Sequence, residues 1–302
     1  MQARERNTGS TRSQTKGVSL KLVLLGIIAL SDLCAHASAK ATQIIGVQAW
    51  VLSDDDGTHQ AKITPGELAL WLHTANTTLR DSEASFQLSF NAQRDWPHLR
   101  SSTLNGLHNY RPECLPLFEK GRQLAAKSPH QLTVLFRHGR DEEATGNGFA
   151  VRPTPAQPGF IVMPGFRSTT VQRGPQESRV YNKKLFIHEL GHFLGLEHTF
   201  PGSGSKQAES LTALRKVVKQ TQHFDGDGIA DTPEDPYSHL YFRYLKQHQC
   251  QSSQLHRIPG FNILRHNPMS YLNCMPYRFT RGQVKQMQTE LSRPAYAYLG
   301  SP

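Results

Sequence analysis

The stretch His188-Glu189-Leu190-Gly191-His192-Phe193-Leu194-Gly195-Leu196-Glu197-His198 decides how this chain is read. His188 and His192 stand four residues apart, so on an α-helix both imidazoles project from one face. A pair at that spacing grips one metal ion, and Glu189 beside them reaches a water held there. Gly195 marks the end of such a helix, because glycine enters the left-handed conformation without a steric penalty. The chain then turns and brings His198 towards the same ion. Three neutral imidazoles leave one corner of a zinc tetrahedron open, which separates catalytic zinc from structural zinc. A surface helix that merely carries histidines does not account for the spacing, the glutamate, the glycine and the third histidine together.

The stretch matches the zinc signature of the metzincin metalloproteases, and Asn267-Pro-Met-Ser-Tyr271 resembles the Met-turn of that clan. Three further segments are similar to the pappalysin (cytophagalysin-like) family: His198-Thr-Phe200, Asp225-Gly-Asp-Gly-Ile-Ala-Asp231-Thr-Pro233, and Phe279-Thr-Arg-Gly-Gln283. The resemblance runs from about Gly148 to Met287 and is weak before that. It implies an α+β, metzincin-type zincin. Its upper lobe, about 40–195, holds a twisted mixed β-sheet and two helices, the active-site helix among them. Its loop-rich lower lobe, about 196–302, holds the Met-turn and a C-terminal helix. The resemblance further implies that Met269 lies beneath the metal as a hydrophobic base without ligating it. It puts the Tyr271 phenol near the zinc, where it stabilises an oxyanion. It also implies a Cys250–Cys274 disulfide, which leaves Cys114 over. The segment 202–224 departs from the family as an insertion, so details of the cleft rim do not carry across.

Glu189 is the candidate general base, taking a proton from a zinc-activated water that attacks a peptide carbonyl. Asp225, Asp227 and Asp231 put three carboxylates within seven residues, among flexible glycines. Two readings stand side by side. Oxygen ligands of this kind build Ca²⁺ sites, as they do near the matching segment of some relatives; alternatively, the Asp side chains bond their own backbone in a turn. The segment is no EF-hand, since Ile229 falls at a ligand position and the closing glutamate is missing. The remaining histidines, such as His59, His73, His98 and His108, lack ligand spacing.

With 302 residues, 37% hydrophobic and 19% charged, the chain suits one large domain or two lobes. A basic start with Arg4, Arg6, Arg12, Lys16 and Lys21 precedes a nine-residue apolar run, Leu22 to Leu30, and then Ala37-Ser38-Ala39. That order predicts a cleaved signal peptide over 1–39 and a secreted or periplasmic catalytic domain over 40–302. The run falls short of the roughly 20 residues a membrane helix needs, so no stable membrane association is expected. An oxidising compartment favours cysteine pairing. The net charge of +10 is scattered, with no basic run and no aromatic-interleaved motif, which argues against nucleic-acid binding.

Along the chain, Ile44–Val51 reads as a buried strand, and Thr64-Pro65 with Glu67 opens a helix through a capping box. Phe86, Leu88 and Phe90 alternate as a strand, as do Leu132, Val134 and Phe136. Residues 91–130 read as loops with one short helix around Phe118–Ala126. Gly146–Ala150 and Gly159–Met163 read as two more strands. By the metzincin resemblance the first is the sheet edge above the cleft, where a protein or peptide substrate docks in extended form near Gly148–Val151. Asn182 is the expected N-cap of the active-site helix, which runs to about Leu194. A helix is expected over Glu209–Gln222. A last one starts at Thr280 with Gln283 in a capping box and stops before Pro294. The function that follows is a zinc endopeptidase. Its rivals are a catalytically silent zinc-containing binding protein, against which the retained Glu189 argues, and a zinc hydrolase of a non-peptide amide.

Overall fold

The computed structural model describes residues 42–107, 115–138, 148–164, 175–200, 226–235, 260–272 and 274–300. Strand β1 (Gln43–Ser53) is the longest of the sheet, and Val47, Ala49, Val51 and Leu52 are all completely buried. Helix α1 (Pro65–Asp81) follows. The Thr64 side chain accepts the Glu67 N–H, and the Glu67 carboxylate accepts the Thr64 N–H. That reciprocal cap, with proline at the start, is worth about 1 kcal/mol and fixes where the helix begins. Next come β2 (Phe86–Ser89), β3 (His98–Arg100), the short α2 (Ser102–Gly106), α3 (Leu115–Ala126), β4 (Gln131–Arg137), β5 (Phe149–Val151) and β6 (Phe160–Pro164).

These strands form a mixed six-stranded sheet in the order β2-β1-β4-β6-β5, with β3 also pairing with β1. All pairings are parallel except β5 with β6, which is antiparallel and sets Ala150 opposite Ile161. β5 therefore forms one edge of the sheet. One face packs Ile45, Val47, Val134, Phe136, Ile161 and Met163 against α1 and the zinc-motif helix. The other packs Leu52, Leu135, Phe160 and Val162 against α3. β4 and β6 are covered on both sides, so β4 is a continuous buried run in which Thr133 and Leu135 are buried along with the alternating Leu132, Val134 and Phe136. Residues 91–130 hold more order than expected. Ser101 caps α2 by accepting the Leu104 N–H, and β3 is set by pairing Val51 with His98, a partner remote in sequence.

Helix α4 (Pro175–Phe193) carries the zinc motif. Its start corrects the expectation of Asn182 as N-cap: the helix begins eight residues earlier, where Pro175 supplies a fixed φ and needs no donor. Its end is as expected. Gly195 has φ +90°, its N–H bonds the His192 carbonyl, and the Leu196 N–H bonds the Gly191 carbonyl. Short helix α5 (Phe261–Leu264) precedes the Asn267–Tyr271 turn. Helix α6 (Arg281–Leu291) opens with the Thr280–Gln283 capping box, and a 3-10 turn (Pro294–Leu299) closes the described chain. The expected signal peptide, the Glu209–Gln222 helix, Cys114, Asp225 and Cys250 lie outside the described residues. Cys274 is buried and disulfide-bonded. Among the described residues no helix is long and apolar enough to cross a membrane.

Candidate metal and active site

The α4 spacing and the Gly195 turn bring three nitrogens to one point. Nε2 of His192 lies 3.1 Å from Nε2 of His188 and 3.1 Å from that of His198, and the third side of the triangle is 3.2 Å. Zn–N bonds of about 2.0 Å in a tetrahedron require ligand nitrogens about 3.3 Å apart, so the triangle fits one zinc ion. The other ring nitrogens support this. Nδ1 of His188 lies 2.8 Å from the Pro268 carbonyl, and Nδ1 of His192 lies 2.8 Å from the Leu196 carbonyl. A carbonyl only accepts, so both Nδ1 atoms carry the proton and both Nε2 atoms present bare lone pairs. Lone pairs facing each other at 3.1 Å repel, and a cation between them reverses the sign. Among the described residues this triad is the group of three metal-ligating side chains placed to hold an ion.

All three imidazoles are held neutral. Burial, the largest cause, pushes His188 well below the usual histidine range, with the neighbouring His192 and Lys184 adding to it. Burial likewise lowers His192 and brings His198 to about 4. Glu189 is buried beside them, and burial pushes its carboxyl up to about 8. Above it runs the start of β5: a Cβ on Gly148 would fall 2.9 Å from Glu189 Cγ and 3.2 Å from Glu189 Oε1. The sheet edge and the glutamate are thus in contact.

Beneath α4, Met269 is completely buried, its sulfur so near Gly191 that a Cβ there would lie 2.4 Å from it. Met269 receives the Thr199 N–H on its carbonyl at 3.3 Å and gives its own N–H to the Asn267 side chain at 2.9 Å. Tyr271 stands over the triad, with 46% of its surface exposed. Its ring lies 5.0 Å from that of His198, 5.7 Å from His188 and 4.6 Å from Phe200, which itself stacks on His198 at 4.7 Å and 10°.

The acidic segment has other work. Asp231 accepts the Gly282 N–H at 2.9 Å, satisfying the open N-terminus of α6. Asp227 accepts the Ile229 N–H at 3.0 Å and the Gln283 side-chain amide at 3.1 Å. Gln283 in turn accepts from Asn267 of the Met-turn at 2.8 Å. The segment therefore ties α6 to the floor of the site, which supports the turn reading and lends none to calcium.

Two residues bonded into this geometry escaped the sequence reading. Arg152, just past β5, donates from Nε to the His192 carbonyl at 2.9 Å. Its other nitrogen donates to the Leu196 carbonyl at 3.2 Å and to Glu197 at 2.6 Å. Lys184 is buried one turn before His188, where burial lowers its ammonium to about 7 against the opposing charge of Asp235. Burying an ammonium costs several kcal/mol unless hydrogen bonds and an anion offset it. Lys184 finds both, donating to the Ser270 and Leu272 carbonyls as well as facing Asp235. A lysine four residues before His188 must share its helix face, and that spacing was a signal open to sequence reasoning.

A histidine triad on one helix and the following turn, with a buried glutamate beside it, is the arrangement of a metalloprotease centre. Residues 174–292 match the family model for pregnancy-associated plasma protein-A, so over that segment the chain is similar to the pappalysin-type metalloproteases. It is 35% identical over 162 residues to an extracellular metalloprotease of Arthroderma otae and 33% identical to one of Arthroderma benhamiae. Both alignments cover 52% of this chain and 49% of the relative, so the chain spans about half the length of the curated relatives it matches. A crystal structure of metalloproteinase-II from Bacteroides fragilis aligns at 15% identity with a TM-score of 0.30, covering 52% of this chain and 44% of that one.

Proposed function

We propose that the chain is a secreted or periplasmic zinc-dependent endopeptidase, with a metzincin-type catalytic domain from residue 40 preceded by a signal peptide over 1–39. The observation that carries this reading is the convergence of His188, His192 and His198 at 3.1–3.2 Å with Glu189 directly beneath the sheet edge. Zinc, when bound by these three imidazoles, would polarise the scissile carbonyl and bring the pKa of a water to about 7.

The chain's own residues do the rest. An extended protein or peptide substrate adds antiparallel to β5 near Gly148–Val151, using main-chain groups that the β6 pairing leaves open. That docking lays the peptide bond across the Gly148–Glu189 contact. Glu189 takes a proton from the attacking water and delivers it to the leaving amine; a carboxyl raised towards neutrality serves both transfers. The Tyr271 hydroxyl donates to the oxyanion that develops on the former carbonyl oxygen. Met269 supports the triad from below as an apolar floor. The Cys274 disulfide is assigned to Cys250.

The test is cleavage of denatured casein by the zinc-loaded protein. Turnover that stops with 1,10-phenanthroline and is lost in Glu189→Ala, with zinc content unchanged, supports the endopeptidase. Zinc bound stoichiometrically with no cleavage of any peptide in a proteome-derived library would overturn it in favour of a silent binding protein. Turnover confined to small non-peptide amides would favour the other hydrolase.

A further inference from the structure

Lys184 donates to the backbone carbonyls on both sides of Tyr271. Its Nζ lies 2.5 Å from the Ser270 oxygen and also bonds the Leu272 oxygen. Pinning the preceding and following carbonyls to one ammonium fixes the backbone torsions between them, and with them the direction of the Tyr271 side chain. That side chain is the exposed part of an otherwise buried turn: Met269, Ser270 and Leu272 are withdrawn, whereas Tyr271 is 46% exposed over the imidazoles. The anion facing Lys184 is equally well held. Asp235 is completely buried and accepts the Thr199 hydroxyl at 2.5 Å. Thr199 follows the third histidine directly, and its N–H bonds the Met269 carbonyl. Lys184 therefore ties the helix of the first two histidines to the turn that carries Tyr271, and Thr199 ties the loop of the third to the same turn.

We infer that Lys184 is a positioning residue for Tyr271, holding the phenol where it donates to the oxyanion without itself touching substrate or metal. This rests on the catalytic reading of Tyr271 given above. Without the ammonium the Ser270 and Leu272 carbonyls lose the donor they share, and the Tyr271 backbone between them is free to rotate.

The experiment is a double-mutant cycle on the zinc-loaded protein, comparing the parent, Lys184→Met, Tyr271→Phe and the double variant with a fluorogenic peptide. Tyr271→Phe is expected to lower kcat by about 100-fold, the usual loss for one oxyanion donor. Lys184→Met is expected to lower kcat by about tenfold or more with KM little changed, and the double variant to be no slower than Tyr271→Phe alone. Zinc affinity, measured by chelator competition, should be the same in all four. As a readout independent of turnover, 3-fluorotyrosine at position 271 should give one sharp fluorine NMR line in the parent and a shifted or broadened one in Lys184→Met. An equal loss from Lys184→Met in both backgrounds would overturn the positioning role while leaving that of Tyr271 intact. An unchanged kcat in Tyr271→Phe would instead remove the catalytic reading of Tyr271. Should Lys184→Met fail to fold, Lys184→Arg, which keeps the charge but alters its reach, carries the same cycle.

Discussion

Gly148 and Glu189 touch across the gap between the sheet edge and the zinc-motif helix, with no room for even a methyl group between them. A Cβ on Gly148 would also lie 3.0 Å from the Val162 carbonyl, which belongs to the neighbouring strand and cannot give way. Gly148→Ala must therefore displace either the Glu189 carboxyl or the start of β5. Misplacing a catalytic group by about 1 Å can cost on the order of 100-fold in rate. The expected outcome is a fall in kcat/KM of about 10- to 100-fold with zinc affinity unchanged. Full activity in Gly148→Ala would show that the two elements separate freely and that their contact has no part in turnover.

Arg152 links the same strand to the loop that follows the zinc-motif helix. Its guanidinium shares the Leu196 carbonyl with His192 Nδ1, and it also bonds the His192 carbonyl and the Glu197 carboxylate. The ion pair itself is exposed and contributes little to stability. The orientation it imposes matters more, because partners of metal-ligating histidines are worth about 10- to 100-fold in metal affinity. Arg152→Met is accordingly expected to weaken zinc binding by about tenfold while shifting the melting temperature of the zinc-free protein only slightly. Competition with a chromogenic chelator measures the first and calorimetry the second. Unaltered zinc affinity would rule out the orienting role.

Metal and pH should act together on stability. With free zinc at about 100 times Kd, binding to the folded state alone adds about 2.7 kcal/mol, so chelation should lower the melting temperature visibly. In the zinc-free protein the three imidazoles have depressed pKa values, His198 falling from 6.5 to about 4. Below 6.5 the unfolded chain takes up protons that the folded one refuses. The stability linked to these groups is therefore complete above pH 6.5 and is lost as pH falls towards 4. Melting curves of the zinc-free protein should be level at neutral pH and decline through that window. Zinc should be released over the same range, since the ligands bind only when neutral. A melting temperature independent of pH between 7 and 4 would contradict the neutral, desolvated state of the triad.

Much of this architecture could be read from local sequence, and the exceptions share one cause. The α1 and α6 caps, the Gly195 turn and the histidine triad are determined by residues within a few positions of one another, where spacing translates directly into geometry. The β1 and β6 strands were legible as apolar runs. The bonds of Lys184 and Arg152 and the Glu189 contact of Gly148 were not, because those partners lie 86, 44 and 41 residues away; the helical spacing put Lys184 on the His188 face without saying what it would hold. Leu132, Val134 and Phe136 read as an alternation along β4, yet the tertiary fold also buries Thr133 and Leu135 between them. Asn182 is a good N-cap residue that the chain does not use as one, since Pro175 starts the same helix sooner.

Gly191, inside the zinc motif, offers the last test, because two effects of known size oppose each other there. Replacing a mid-helix glycine by alanine ordinarily stabilises by about 1 kcal/mol. At Gly191, however, the new Cβ would fall 2.4 Å from the Met269 sulfur and 3.3 Å from its terminal methyl. A methionine side chain bends easily at a surface, but Met269 is completely buried and packed within the main core, so it has no open space to enter. Overpacking of this kind costs about 1–3 kcal/mol. The cost should match or exceed the helix gain, so Gly191→Ala is expected to be neutral to destabilising by about 2 kcal/mol. Shortening the floor residue should relieve the clash: Gly191→Ala combined with Met269→Ala should be more stable than the sum of the two single changes predicts. Denaturant melts of the four proteins without zinc measure this directly. Strict additivity would mean that Met269 yields to the new methyl group, and the methionine would then not be a rigid support for the histidine helix.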